Sequence, residues 1–239
     1  MSAQEVTAQL KSFATAERKK QNEYYFKTGV GQYSEFDLFI GVRVPKIRQI
    51  AKHYFRSITY SEIDILLSSP IHEVRYCGLI ILVYKYQAGD KTPVFDYYLS
   101  RISAANNWDL VDYSTPQVVG DFLYQNPAKL PLLFKFAAST NLWERRIAIV
   151  ATFAFIKQGV FSPTLDISKI LLTDSHDLIH KAVGWMLREV YKKDQNTCKA
   201  FLRENYAQLP RTTLRYAIER MAEIERKAYL KGIFEHVPN

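Results

Sequence analysis

Glycine is scarce in this chain, nine residues in 239, and strand-like alternation of apolar and polar residues is rarer still. Both absences argue against a strand-rich fold and leave helical spacing dominant almost everywhere. There are two cysteines, Cys77 and Cys198, far apart and without metal-type spacing. That excludes a disulfide framework and suits a reducing cytoplasm, with Cys77 read as a small core residue. The longest apolar runs, around 77–84 and 147–156, are too short to span a bilayer. The opening MSAQEVTAQLKSF has the pattern of an amphipathic helix and lacks a secretory apolar core. No Pro/Ser-rich linker or low-complexity tract interrupts the chain, so a single domain over 1–239 is expected. Metal-hydrolase, Gly-rich phosphate-loop, cysteine-nucleophile and serine-elbow patterns are all missing. His176 and His180 stand four apart with no carboxylate–His cluster to complete a site. They read as helix-start residues, with His180 near a phosphate, and neither metal nor cofactor is expected.

What the chain has in excess is positive charge and helical repetition. Net charge is +8 and the isoelectric point about 9.3, a balance that favours nucleic acid or another acidic partner. Helices are predicted over 3–20, 44–56, 60–68, 71–87, 93–103, 107–125, 127–138, 142–158, 166–173, 176–193, 195–206, 210–222 and 224–232, with starts marked by Ser61, Thr92, Asn141 and Ser175. The segment TGVGQYSEFD at 28–37 reads as a loop. Five stretches align on one another: SPIHEVRYCGLIIL from 69, NNWDLVDYSTPQVV from 106, NLWERRIAIVATFA from 141, SHDLIHKAVGWMLR from 175 and PRTTLRYAIERM from 210. In that register one column holds Arg75, Asp112, Arg146, Lys181 and Arg215, at spacings of 37, 34, 35 and 34 residues. Such periods mark stacked helical repeats. The expected fold is therefore all-α: HEAT-like repeats in a curved solenoid with a concave basic groove.

A basic column reads as a polyanion track, and the lone carboxylate Asp112 needs a reason. Either it pairs with a column cation such as Arg146 or Arg75, or it faces a cationic substrate. Trp108 lies one turn from it on the same face, and Pro116, a turn further on, has no N–H for the Asp112 carbonyl, so the helix is expected to kink or break there. On 176–193, Lys181, Trp185, Arg188 and Lys192 form one stripe. Ile179, Val183, Met186, Leu187 and Val190 form the opposite one, which places Trp185 on the cationic face. Trp143, Arg145 and Arg146 cluster at a helix start, with Arg145 read as a DNA-binding cation or as a partner for Glu144 or Glu189. Arg43, Lys46 and Arg48 surround Pro45 in a first helical turn whose free N–H groups could meet a phosphate.

One carboxylate, tryptophans and cations suit a particular reaction. A cationic alkylated purine has a weakened glycosidic bond and needs no proton to leave, so the second carboxyl group of ordinary glycosidases is dispensable. The remaining task is to stabilise an oxocarbenium-like sugar and position water. Tryptophan faces attract the positive charge, and the cations hold flanking phosphates.

These residues resemble a known family, the DNA alkylation repair enzymes of the AlkD type, which are HEAT-like-repeat DNA glycosylases. The likeness runs over roughly 20–222. It rests on YFKTG from 25, GVRVPKIRQ from 41, NNWDLVD from 106, NLWERRIAIV from 141, HKAVGWMLREV from 180 and PRTTLRYAIE from 210. The resemblance implies excision of N3- and N7-alkylpurines from double-stranded DNA without extruding the lesion; a monomer is expected, and the cysteine usage and lack of a secretory core place it in the cytoplasm, at the nucleoid when bound to DNA. It implies that Asp112 is the catalytic aspartate and that Trp108 and Trp185 pack on the lesion's sugar and backbone. By the same resemblance Arg146 contacts DNA near the lesion, Tyr25 is a third aromatic, with Tyr24 beside it, and Arg48 and Arg188 are groove cations. Two departures stand out: Asn107 where the best-studied type has a second tryptophan, and the inserted loop 28–37. The alternatives are a DNA-structure binder without catalysis and a HEAT scaffold for another protein, its tryptophans serving as anchors.

Overall fold

The computed structural model describes residues 1–234 and is all-α, a helical-repeat fold. Backbone contacts divide it into two units, Met1–Ser114 and Thr115 onward. Among the described residues the one piece of β pairing is an isolated bridge between Leu38 and Ile71.

The first unit holds α1 (Ala3–Ser12), α2 (Ala16–Phe26), α3 (Val44–Tyr54), α4 (Tyr60–Leu67), α5 (His72–Ala88), α6 (Lys91–Ser100) and α7 (Trp108–Thr115). The central element is α5. Its run CGLIILV is apolar on every side, so the helix is buried all round, with α1, α3, α4 and α6 packed against it. His72, Glu73 and Arg75 of α5 are buried with it, and each therefore needs a partner. The Glu73 carboxylate accepts the backbone N–H groups of Gly41 at 2.8 Å, Ile40 at 3.1 Å and Val42 at 3.3 Å, and the Asn22 amide at 3.2 Å. Gly41 has φ +85°, and a Cβ there would lie 2.2 Å from the Thr15 carbonyl oxygen. Only glycine fits that turn.

The expected helix over 3–20 is two helices. Thr15 adopts extended backbone and its hydroxyl accepts the Arg18 N–H, so a second helix starts there and runs on to Phe26. Asn141 caps α10 as expected, but two other caps sit two residues earlier than the sequence suggested. Thr59 caps α4 and Asp90 caps α6, earlier than Ser61 and Thr92, since side chains just outside the first turn reach its free N–H groups best.

In the second unit Pro116–Gly120 forms a π-helical turn, followed by α8 (Asp121–Gln125), α9 (Pro131–Ala137), α10 (Leu142–Ala151) and α11 (Phe153–Lys157). Then come α12 (Ser162–Leu171), α13 (Asp177–Lys193), α14 (Gln195–Glu204), α15 (Arg211–Ala217) and α16 (Glu223–Lys231). Pro116 does not break the expected 107–125 helix. Lacking an N–H, it is absorbed by a turn wound one residue wider, in which the Asp121 N–H reaches the Pro116 carbonyl. Pro131 likewise splits the expected 127–138 helix into a 3₁₀ turn and α9. Helix α13 buries Ile179, Val183, Met186, Leu187 and Val190. It packs against α10, α12, α14 and α15, closest at Gly184, where a Cβ would stand 2.5 Å from Tyr216 Cβ and 2.6 Å from the Thr213 carbonyl oxygen.

Candidate nucleic-acid interface

In the first unit the aromatics of α2 and α7 meet. The Trp108 ring stacks on Phe26 with centroids 5.2 Å apart and planes 16° from parallel, and Tyr25 meets it edge-on at 5.7 Å. Tyr25 remains 64 % exposed. These rings open onto a cavity of about 320 Å³, lined also by Arg18, Arg48, Tyr76 and Asp109. Arg48 stands 4.8 Å from the Tyr113 ring centre and hydrogen-bonds the Tyr76 hydroxyl. Arg43 and Lys46 lie apart from this cavity, exposed at the start of α3. Arg43 is the residue before the first turn, and the Lys46 ammonium sits 4.8 Å over the Phe13 ring. Asp112 is half-buried, one turn along α7 from Trp108.

Beneath the cavity lies a buried polar network that the sequence reading missed. His72 Nε2 is 2.9 Å from Asp109 Oδ2, and its Nδ1 is 3.3 Å from Asp37 Oδ2. Asp37 also takes a hydrogen-bonded ion pair from Arg75. Burial alone would push the His72 imidazole down, but the charges and hydrogen bonds of Asp109 and Asp37 prevail and raise it to about 9. Burial opposes ionisation of Asp37 as well. The His72 hydrogen bond, the Arg75 charge and the Asn107 amide outweigh that and hold its carboxyl below the usual range. The signal for this cluster was the presence of His, Glu and Arg within an otherwise apolar helix, together with the first aspartate of the W-D-x-x-D element. Arg75 is thus corrected. It is a buried partner of Asp37, not a groove cation, because a segment outside the repeat supplies its carboxylate.

In the second unit several expected groove cations are tied into the protein. Arg146 is 5 % exposed and donates to the Leu178 carbonyl, so it braces α10 against the first turn of α13. Arg145 pairs with Asp174, rather than with Glu144 or Glu189, and donates to the Ser139 and Thr140 carbonyls. Both carbonyls end the preceding turn, within reach of the first residues of α10. Lys181 pairs with Asp177 one turn back at 2.7 Å, and Arg188 with Glu219. Trp185 is half-buried, its ring 5.9 Å from Phe153 and its indole N–H donated to Glu189 at 3.2 Å. Lys192 binds the same carboxylate. Arg215 is exposed. His176 caps α13, and the His180 ring hydrogen-bonds the Asp174 carbonyl. Among the described residues no group of three or more His, Cys, Asp or Glu could hold a metal ion, and no helix is long and apolar enough to cross a membrane.

An all-α helical-repeat protein with an aromatic and cationic surface defines a class, and comparison with known proteins narrows it. The chain belongs to the DNA alkylation repair enzyme family, whose model matches residues 6–221. Three solved structures are similar. One is described as a predicted DNA alkylation repair enzyme from Enterococcus faecalis, 18 % identical, covering 88 % of this chain and 97 % of that one at a TM-score of 0.71. Another is AlkD2 from Streptococcus mutans, 17 % identical, with 87 % and 98 % covered and a TM-score of 0.55. The third is smu.31 from Streptococcus mutans UA159, 17 % identical, with 99 % of each chain covered and a TM-score of 0.51. At these identities the likeness is one of fold. A search of curated proteins gives no match.

Proposed function

We propose that this protein is a monofunctional DNA glycosylase that excises cationic N3- and N7-alkylated purines from duplex DNA, without casting the lesion out of the helix. The observation that carries the reading is Trp108 in a cavity shared with Tyr25 and Arg48, with Asp112 one turn further along α7, in a member of a DNA alkylation repair family.

The chemistry asks little of the protein. The departing base is already positive, so bond cleavage needs no proton donor, and the electron pair of the glycosidic bond leaves with a base that becomes neutral. Positive charge then develops on the sugar. A carboxylate about 4 Å away at an effective dielectric near 20 is worth roughly 4 kcal/mol, on the order of a thousandfold in rate. Asp112 supplies that charge and orients the attacking water. Trp108 and Tyr25 offer their faces to the cationic nucleotide. The exposed cations Arg43, Lys46 and Arg48 of the first unit and Arg215 of the second are offered to phosphates, Lys181 and Arg188 reach one only by giving up Asp177 and Glu219, and Trp185 packs on the backbone. Arg146 acts through the start of α13 as a positioning residue, since burial keeps it from phosphate.

Duplex DNA carrying 7-methylguanine is the direct test. Wild type should release free base, and Asp112→Asn should lose about a thousandfold in single-turnover rate while binding the duplex as well. Salt-sensitive binding with no release by either protein points to a DNA-structure binder. Failure to bind DNA at moderate salt points to a scaffold for another protein.

A further inference from the structure

The two departures from the family pattern meet in space. Asn107 is wholly buried, and its amide nitrogen donates to Ser34 Oγ at 2.5 Å and Asp37 Oδ2 at 2.7 Å, both in the 28–37 segment. Its amide oxygen accepts the Trp108 N–H at 2.8 Å. Ser34 and Asp37 are buried beneath it, while Phe36 between them is 87 % exposed. The segment is thus not a loose surface loop but a strap with two buried anchors. Its far end is sewn to α5 as well. The Leu38 N–H reaches the Pro70 carbonyl at 3.1 Å, and the His72 N–H reaches the Leu38 carbonyl at 2.8 Å.

We propose that Asn107 and His72 are positioning residues for the excision reaction. Together they clamp the 28–37 strap against the first turn of α7 and set the rotation of that helix, and with it the direction in which Trp108 and Asp112 point. This rests on the glycosylase reading above. Helix α7 continues into the π turn, but Pro116 has no N–H to donate back to the Asp112 carbonyl, so contacts at its first turn share in setting its rotation. Two tethers grip its first turn: Asn107, the residue just before it, bonded to Ser34 and Asp37 of the strap, and His72 at Asp109. Asp112 lies three residues beyond Asp109 and four beyond Trp108, on the stripe those contacts control. A side-chain tip sits about 5–6 Å from a helix axis, so a rotation of about 10° displaces it by about 1 Å. A displacement of that size is enough to cost on the order of a hundredfold in rate.

The clamp is electrostatic as well as steric. His72 faces Asp37 from the strap and Asp109 from α7. Its own helix contributes Glu73, held by the backbone at 40–42, Arg75, paired with Asp37, and Tyr76, whose ring is 6.4 Å away and whose hydroxyl meets Arg48 of α3. Between the two aspartates a protonated imidazole attracts both. Asn107 must be a neutral donor, because a carboxylate there would confront Asp37.

The experiment compares wild type, Asn107→Ala, Asn107→Asp and Ser34→Ala at pH 7.5. It measures single-turnover release of 7-methylguanine at saturating enzyme, the Kd for an undamaged duplex, and the NMR signal of the Trp108 indole N–H. We expect Asn107→Ala to lose at least tenfold in rate with Kd unchanged within twofold. Asn107→Asp should lose more, Ser34→Ala less, and the Trp108 signal should shift in step with the rate. Rates within threefold of wild type, equal losses for the Ala and Asp variants, or an unmoved Trp108 signal overturn the proposal. Should the Asn107 variants not fold, the wild type decides. The His72 Cε1–H and Trp108 indole signals must titrate together on raising the pH, and a Trp108 signal indifferent to His72 sinks the clamp. If wild type releases no base, the glycosylase reading fails, while the Trp108 signal still judges the clamp.

Discussion

A histidine buried between two carboxylates carries its own pH dependence. The ordinary imidazole value of 6.5 becomes about 9 for His72 in the folded chain. The folded state therefore holds its proton more tightly than the unfolded one. The stabilisation is fully present below pH 6.5 and is lost as pH climbs through about 9. Asp37 works at the other end of the scale. Its carboxyl is held below the ordinary 3.8, so its contribution is present above that value and fades on acidification. Urea unfolding at stepped pH should show wild type losing on the order of 3 kcal/mol between pH 6.5 and values above 9. His72→Gln should start less stable and stay flat over that window, and a wild type equally stable at pH 6.5 and 9.5 would contradict the assignment. Little of this was legible beforehand. Asp112, Trp108 and Tyr25 stand out because their types are odd for their surroundings, and helix phase alone puts Trp108 and Asp112 on one face. Asp37 and Asn107 are 70 positions apart in sequence, and no local pattern announces that they touch.

At the scale of elements, periodicity was the dependable guide. The apolar stripe of α13 is read from spacing and is the stripe that is buried, because a helix against α10, α12, α14 and α15 has only one dry face. Gly184, in the middle of it, allows α13 and α15 to approach backbone to side chain. Gly184→Ala places a methyl group 2.5 Å from Tyr216 Cβ, and since neither contact is a flexible side-chain tip, the helices must part. The expected cost is about 2–3 kcal/mol, visible in a thermal melt as a Tm lower by several degrees. An unchanged Tm would mean that α15 yields freely. Helix ends were harder to read. The break at 13–15 depends on the Thr15 hydroxyl accepting the Arg18 N–H as a cap instead of continuing a helix, and the π turn on how the chain absorbs Pro116. Both are choices between close alternatives that amphipathic spacing does not register.

For the molecule as a whole, the aligned basic column mixed two kinds of cation. Arg75 and Arg146 are buried struts, while Arg215 is exposed and Lys181 half-exposed. A repeat alignment sees the shared position but not what lies opposite it. Salt separates the two kinds. With net charge +8, duplex affinity should fall linearly on a log–log salt plot, and Arg215→Ala should flatten that slope by about 1 through one lost phosphate contact. Arg146→Ala should lower thermal stability and leave the slope unchanged, as fluorescence anisotropy at several salt concentrations will show; a flatter slope for Arg146→Ala would return it to the DNA-facing set. The strap at 28–37 bears on how this protein can be recombined with its relatives. Its anchors Ser34 and Asp37 belong with Asn107, His72 and Arg75. Moved alone into a chain with a tryptophan at the position of Asn107, it would arrive with a buried carboxylate and no amide to meet it. Segment and socket form one heritable unit, and a chimera that separates them starts from an unpaired charge.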